Sequence, residues 1–338
     1  MSFKRIGWLI LVLGAGILAY DLFKPQGIFI LSPLVSRVSR TEEPEKNKNN
    51  GVYAPYSFEA LGEREYAGSE IKIEKEISKE ENFTSYLFSY LPDGQKVTGQ
   101  LNLPQKAGKL PAVIMLRGYA DKEIYFTGLG TRKAAGALAE NGFITLAPDF
   151  LGFGGSDPET TDVLLNRFKR PITVLNLIAS VKTLPEANPD QIFLWAHSNG
   201  GQIALSVLEI SQFAYPTSLW APVTESFPEC IINYIDQDNL TPDSQKVLEA
   251  INNFTKSYDP QKYSTTSYYG KIKAPLLIHQ GGADYLVPAE WQEKLIKELN
   301  SLNKEVNYFY YPRSDHNLEP DWDLVVQRDL EFFQNFLN

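Results

Sequence analysis

The sequence contains a single cysteine, Cys230, and only three histidines in 338 residues. One cysteine excludes an internal disulfide framework, and three histidines leave no cluster of ligands for a zinc site. Basic residues number 32 against 41 acidic ones, so a surface for nucleic acid is not expected. Phosphate-binding loops and dinucleotide fingerprints are not evident either. We therefore predict an acidic protein that uses no metal ion and no cofactor.

What the sequence does contain is enough apolar material for a sizeable core. Hydrophobic residues make up 43% of the chain and charged residues 22%, as in ordinary globular proteins. A chain of 338 residues is long enough for two domains or for one large α/β domain with additions.

The longest apolar run lies at the N-terminus. Residues 1–5 are short and basic, and residues 6–23 carry one charge, Asp21. As a helix of 1.5 Å per residue this run spans about 27 Å, close to the thickness of a hydrocarbon core. We predict an uncleaved membrane anchor over residues 1–24. A secretory signal cleaved after Ala19 is the alternative, and a buried core helix is the third interpretation.

Residues 25–51 are predicted to be a linker, because residues 36–51 lack aromatic side chains and are dense in charged and amide residues. Basic residues flank the apolar run on both sides, so their count does not decide its orientation. Short basic N-terminal segments usually stay in the cytoplasm. We therefore expect the rest of the chain outside the cytoplasm, anchored to the membrane or, after cleavage, secreted.

The remainder of the chain divides by its hydrophobic pattern. Residues 52–110 alternate apolar and polar side chains, which predicts a β-rich segment of antiparallel strands. From residue 111 to 338, strands buried on both faces alternate with helices, which is typical of a mostly parallel, doubly wound α/β sheet. The strands are predicted at 112–116, 143–147, 192–196, 218–221, 275–279 and 306–310. The helices are predicted at 134–140, 174–184, 202–210 and 323–337.

One segment, residues 223–270, breaks this alternation and is rich in Tyr, Asn, Asp and Pro. We interpret it as a helical insertion over the functional site. Its tyrosines either line a substrate pocket or serve only in packing; they are Tyr234, Tyr258, Tyr263, Tyr268 and Tyr269.

Functional sites in such sheets lie at the carboxyl ends of the strands. There, Ser198 occupies the sharp turn between a predicted strand and a predicted helix, in the sequence Ala-His-Ser-Asn-Gly-Gly. This is the G-x-S-x-G nucleophile elbow with Ala196 in place of the first glycine. The alternative is an ordinary glycine-rich helix start. We predict Ser198 as a nucleophile.

A serine nucleophile needs a base, and only three histidines are available. His316 follows the predicted strand 306–310 in a polar loop, so it is assigned as the general base. His197 adjoins Ser198 and is expected to point elsewhere, in a packing or hydrogen-bonding role. His279 directly follows the apolar residues 276–278 and is interpreted as a core histidine.

The acid that orients the base is expected at a strand end between the serine and the histidine in chain order. Asp284 meets this requirement, in a loop whose glycines allow a sharp turn. Asp315 adjoins His316 and is interpreted as a residue that shapes the loop. Asp149, after the strand 143–147, is expected to hold the loop 150–157.

Acyl transfer also needs N–H donors for the oxyanion. The backbone N–H of Asn199 is one candidate. The second is that of Tyr119, in the loop after the strand 112–116; alternatively, Gly118 and Tyr119 merely turn the chain.

These motifs resemble the α/β-hydrolase superfamily, and more narrowly the catalytic domain of the prolyl oligopeptidase (S9) group of serine peptidases. The resemblance covers about residues 110–338 and implies an α/β-hydrolase fold with a Ser198–Asp284–His316 triad. Two departures are evident: Arg117 stands where many relatives carry histidine, and the large N-terminal propeller of many S9 peptidases is lacking. The motifs lie at 117–121, 147–149, 152–157, 196–201, 282–284 and 315–316.

The resulting functional prediction is a peptidase-like serine hydrolase that cleaves the amide bond of a peptide or an acylated amino acid. A carboxylic ester hydrolase with the same triad is the nearest alternative. A non-catalytic binding module tethered to the membrane is a third, from a different class. In either enzymatic case the partner is a small peptide or acyl substrate.

Overall fold

The computed structural model describes residues 51–337. The predicted anchor at residues 1–24 and nearly all of the predicted linker lie outside the described residues. Within residues 51–337, none of the helices is both long and apolar enough to cross a membrane.

Nine strands and eight α-helices make up the described chain, joined by loops and short 3₁₀ turns. The strands are β1 (Lys72–Lys79), β2 (Phe83–Tyr90), β3 (Val97–Pro104), β4 (Leu110–Leu116), β5 (Ile144–Pro148), β6 (Ala187–His197), β7 (Thr217–Trp220), β8 (Leu276–Gly281) and β9 (Val306–Tyr311). The helices are α1 (Phe58–Gly62), α2 (Arg132–Glu140), α3 (Val163–Ser180), α4 (Asn199–Ser211), α5 (Glu229–Ile232), α6 (Pro242–Thr255), α7 (Ala289–Ser301) and α8 (Trp322–Gln334).

All nine strands form one sheet, in the order β1-β2-β3-β5-β4-β6-β7-β8-β9. Strands β1, β2 and β3 pair antiparallel, and β3 pairs antiparallel with β5. Every pairing from β5 through β9 is parallel. The predicted mostly parallel sheet with antiparallel N-terminal strands is therefore confirmed, and the architecture is the α/β-hydrolase fold.

Helices cover both faces of this sheet, which explains the continuous apolar runs of the central strands. In β4, Val113 and Met115 join the hydrophobic cluster under α2 and α8, whereas Ala112, Ile114 and Leu116 join the cluster under α3 and α4. Because successive side chains of a strand point to opposite faces, a strand covered on both sides must be apolar at every position.

The observed helices differ from the predicted ones in three places. The helix predicted at 174–184 begins at Val163, where the Asp162 side chain caps its N-terminus, and it continues through Pro171. Helix α7 was not predicted, although Leu295 and Leu299 recur at helical spacing and are buried. In addition, the β-rich segment begins with the short helix α1 before its strands.

A buried carboxylate ties α8 to the centre of the sheet. Asp329 accepts hydrogen bonds from the indole N–H groups of Trp195 and Trp220, at 3.1 and 2.9 Å, and from the Ser218 hydroxyl. The His279 Nε2 donates a fourth, at 3.1 Å. His279 is thus a core histidine, as expected from the sequence. One side chain of α8 therefore satisfies four buried donors on β6, β7 and β8.

We predict that Asp329→Ala lowers the free energy of unfolding by about 3–5 kcal/mol, since four buried donors lose their acceptor. Urea unfolding followed by circular dichroism measures this. The control is Asp323→Ala, an exposed position in the first turn of the same helix, with an expected loss of about 1 kcal/mol or less. Equal losses in the two variants would contradict the role given to Asp329.

Candidate active site

Ser198 lies between β6 and α4 with a backbone conformation that L-residues rarely adopt. Its φ is 57° and its ψ is −122°. The Ser198 N–H donates to the carbonyl of Trp220 at 2.9 Å, and its own carbonyl accepts from the N–H groups of Gly201 and Val223 at 2.9 and 3.0 Å. Such strain costs on the order of 1–3 kcal/mol and persists only where surrounding bonds enforce it. The sharp strand-to-helix turn expected at Ser198 is present.

Asp284 and His316 lie in the loops after β8 and β9 and form a direct hydrogen bond. The Nδ1 of His316 donates to Oδ2 of Asp284 at 2.8 Å. The other carboxylate oxygen accepts from the backbone N–H groups of Leu286 and Val287, both at 2.9 Å. Burial alone raises the pKa of Asp284, but the bonds from His316 and these N–H groups outweigh it, so the pKa lies below its ordinary value. Asp284 is therefore a carboxylate at neutral pH.

This contact requires the two loops to approach each other closely. A Cβ on Gly281 would lie 2.3 Å from the carbonyl oxygen of Ser314 and 2.4 Å from that of Asp315. Glycine is needed here for space rather than for the sharp turn expected from the sequence. Asp315 accepts from the N–H groups of Asn317 and Glu319, at 2.8 and 3.0 Å, and so shapes the loop as predicted.

His197 supports the loop that carries His316. Its Nε2 donates to the carbonyl of His316 at 2.8 Å, and the two rings are 4.6 Å apart. Burial and the neighbouring His316 lower the pKa of His197 to about 4, so it is neutral at pH 7. Within the described residues the Ser198 hydroxyl makes no hydrogen bond to His316. Such bonds are often long in free enzymes and tighten when substrate binds.

The loop after β4 passes directly over Ser198. A Cβ added to Gly118 would lie 3.0 Å from Cβ of Ser198 and 3.5 Å from its Oγ. Across residues 51–337, the backbone N–H groups of Tyr119 and Asn199 make no hydrogen bond. The side chain of Tyr119 is 85% exposed. Two unsatisfied donors therefore lie on the segments that flank the serine.

Arg117 anchors this loop. The buried guanidinium donates to the carbonyls of Gly118 and Asp149, at 2.9 and 3.2 Å. It also lies over three aromatic rings, with its central carbon 4.7, 5.7 and 4.2 Å from the ring centres of Tyr125, Phe150 and Phe153. Cation–π contacts of a desolvated guanidinium are favourable. The sequence marked Arg117 as a departure that bears on the anchoring of this loop, and the structure shows the bonds by which it holds the loop.

Asp149 contacts the loop predicted from the sequence and also a second segment. Its carboxylate accepts from the hydroxyls of Thr98, Tyr125 and Thr127, at 2.6, 2.6 and 2.9 Å. The same carboxylate lies directly against the loop 150–157, since a Cβ added to Gly154 would lie 2.3 Å from its Oδ2. Thr98 adds a second link, because its Oγ1 accepts from the N–H of residue 155 at 3.0 Å. Burial raises the pKa of Asp149 despite these bonds. Asp149 therefore supports the loop over Ser198 directly.

The tyrosines of the insertion serve mostly in packing. Tyr258 and Tyr263 pack on Phe254, with ring centres 5.0 and 4.9 Å away. Tyr268 donates to Glu59 and Tyr269 to the carbonyl of Thr224. Tyr234 differs, since it is 48% exposed. Burial and the charge of Asp284 raise the pKa of Tyr234.

Comparison with known families shows which family the chain belongs to. The family model described as the prolyl oligopeptidase family matches residues 131–338, well over half of the chain. The chain belongs to the prolyl oligopeptidase family. It is accordingly a serine hydrolase, and the resemblance inferred from the motifs is confirmed.

Individual relatives of this prolyl oligopeptidase family member are distant in sequence. An uncharacterized peptidase of Bacillus subtilis (strain 168), YtmA, is 24% identical over 249 residues, which cover 72% of this chain and 91% of the relative. Acetyl xylan esterase 1 from Thermoanaerobacterium sp. matches with a TM-score of 0.60 and 17% identity, over 83% of this chain and 93% of the esterase. A puromycin-hydrolyzing peptidase of Mycobacterium tuberculosis matches with a TM-score of 0.56 and 15% identity, over 75% of this chain and 40% of that peptidase.

We predict that Arg117→Lys lowers the free energy of unfolding by about 1–3 kcal/mol, because an ammonium cannot reach both carbonyls and stack on the rings. Thermal or urea unfolding measures the loss. Arg313→Lys, the same change at an exposed position, is the control and is expected to be neutral. If Arg117→Lys left the free energy of unfolding unchanged, the two-pronged geometry of the guanidinium would not stabilise this loop.

Proposed function

We propose that this serine hydrolase forms an acyl-enzyme on Ser198, with His316 as the general base and Asp284 as the residue that orients it. The observation that carries the proposal is the 2.8 Å hydrogen bond between His316 and Asp284, at the same sheet edge as the strained turn of Ser198. The three residues come from different loops, at the carboxyl ends of β6, β8 and β9.

In the first half of the reaction, Oγ of Ser198 attacks the substrate carbonyl carbon while Nε2 of His316 takes the hydroxyl proton. Asp284 accepts the Nδ1–H bond and stabilises the imidazolium. The tetrahedral intermediate then collapses, His316 gives its proton to the leaving amine or alcohol, and the ester with Ser198 remains. In the second half, water attacks this ester, His316 takes the proton of the water and returns it to Ser198, and the acid is released.

The negative charge on the tetrahedral oxygen needs donors that are already in place. The N–H groups of Asn199 and Tyr119 are proposed for this, since both are unsatisfied within the described residues. Gly118 keeps the segment next to Ser198 without a side chain between them. Each such donor typically contributes on the order of 10²–10³ in rate.

The first proposed substrate is an amide, in a short peptide or an acylated amino acid. The membership of the prolyl oligopeptidase family and the Bacillus subtilis relative named as a peptidase support it. A carboxylic ester is the second candidate. The acetyl xylan esterase, matched over 93% of its length, supports it. Both substrates undergo the same acyl transfer, and pocket shape decides between them.

Labelling with a fluorophosphonate probe tests the nucleophile. We predict that wild-type protein is labelled, that Ser198→Ala is not, and that His316→Ala is labelled at least about 100-fold more slowly, because the base is lost. Ser301→Ala, an exposed serine at the end of α7, is the control and is expected to label normally. Labelling of folded Ser198→Ala at the wild-type level would rule out this nucleophile.

A substrate panel then separates the two candidates. Aminoacyl-4-nitroanilides are compared with short-chain 4-nitrophenyl esters. Serine peptidases also cleave activated esters, so hydrolysis of the anilides is the decisive result and is expected here. Hydrolysis of esters alone would refute the amide proposal in favour of the ester.

We also predict that Gly118→Ala slows labelling of Ser198 by about 10- to 100-fold, because the new methyl group displaces either the serine or the adjacent N–H donor. Gly270→Ala is the matched control, since its Cβ would meet nothing within 4 Å. Stopped labelling reactions measure both rates. A Gly118→Ala variant that reacts at the wild-type rate would contradict the proposed position of this loop.

A further inference from the structure

Two arginines lie one turn apart on α3, beside the proposed oxyanion donor. Arg167 and Arg170 are three residues apart, so both project from one side of the helix. They line a cavity together with Asn199 and Gln202. Asn199 directly follows Ser198 in the chain, so one wall of this cavity is the residue adjoining the proposed nucleophile.

The two guanidiniums differ in their partners. Arg167 donates to the side-chain carbonyl of Gln202 and lies 3.2 Å from Sγ of Cys230. Arg170 forms neither a hydrogen bond nor an ion pair anywhere in residues 51–337, although it is partly buried. A partly buried guanidinium with five N–H donors and no acceptor is unfavourable, because its lost hydration is not replaced.

The charged groups around Arg170 make its position still less favourable. The groups that act on it most strongly are Arg167 and Arg117, both positive, followed by Glu159 and Tyr119. Glu159 is already paired with Lys122. Burial and the two neighbouring arginines lower the pKa of Arg170 to about 10, so it is still a cation at neutral pH. A positive cluster of this kind stands out in a chain whose net charge is −9.

We infer that Arg170, assisted by Arg167, binds a carboxylate of the substrate beside Ser198, so that the enzyme prefers anionic substrates. A guanidinium fork matches the two oxygens of a carboxylate. The cavity has a volume of about 40 Å³, which suits one carboxylate. Its remaining walls are mainly apolar, including Phe168, Pro171 and Ile203, and suit the methylene groups that lead to it. This inference rests on the proposed acyl transfer at Ser198.

The carboxylate can belong either to the acyl group or to the leaving group, and two matched pairs of esters distinguish these sources. On the acyl side, 4-nitrophenyl hydrogen adipate is compared with 4-nitrophenyl hexanoate. On the leaving-group side, 3-carboxyphenyl acetate is compared with phenyl acetate. The quantity measured is the ratio of kcat/KM for the anionic ester to that for its neutral partner, with Ser198→Ala as the background.

In at least one pair, Arg170→Gln is expected to lower this ratio by about 10- to 100-fold, the range for a charge-assisted hydrogen bond. Arg170→Lys keeps the positive charge but lacks the planar guanidinium, so its ratio is expected to lie between those of the wild type and Arg170→Gln. The matched control is Lys169→Gln, which removes a positive charge from the same turn but bonds to Gln95 instead. It is expected to keep the wild-type ratio. An Arg170→Gln ratio within twofold of wild type in both pairs would overturn the inference.

Binding without turnover keeps this test independent of the proposed reaction. Calorimetry with adipate is carried out on Ser198→Ala and on the double variant Ser198→Ala/Arg170→Gln. Adipate is expected to bind the first at least about tenfold more tightly than the second. If fluorophosphonate labelling fails but the difference in adipate affinity appears, the carboxylate site is supported and the proposed acyl transfer is refuted. Equal binding by both variants would refute the site even where esters are cleaved.

Discussion

The contact between the Asp284 carboxylate and the His316 imidazole depends on how closely the loops after β8 and β9 approach each other. These strands are parallel neighbours in register from Leu276 to Gly281, so their carboxyl ends reach the same edge of the sheet. The approach is so close that no side chain fits at Gly281. Because a hydrogen bond weakens steeply with distance and angle, any slip between these two strands would separate the pair.

Buried polar contacts beneath the site also hold its strands and loops in position. Asp329 satisfies donors on β6, β7 and β8, and these strands carry or support Ser198 and Asp284. On the other side of the serine, Arg117 and Asp149 hold the loop that contains Tyr119. Both are buried charged groups whose removal leaves polar atoms without partners. Polar networks under the sheet edge therefore keep strained backbone segments in place.

Much of the architecture followed from local pattern. Strands buried on both faces read as continuous apolar runs, and all six predicted in the parallel part are present. Helix α3 was predicted too short at its N-terminus, since it begins at Val163 and continues through Pro171. For Asp149 the sequence predicted only the contact with the loop 150–157, which is one of two segments that it holds. Its position at a strand end is visible in the sequence, whereas its partners come from Thr98 and the loop after β4.

The sequence by itself determined the fold class, the sharp turn at Ser198 and the nomination of His316 from only three histidines. These features depend on residue type and on position relative to nearby strands, which periodicity reveals. Only the tertiary structure decided that Asp284 meets His316, that Arg117 anchors the loop over Ser198, and that Arg170 has no partner among the described residues. Such relations join positions far apart in the chain, and they depend on ångström-scale distances that no local pattern encodes.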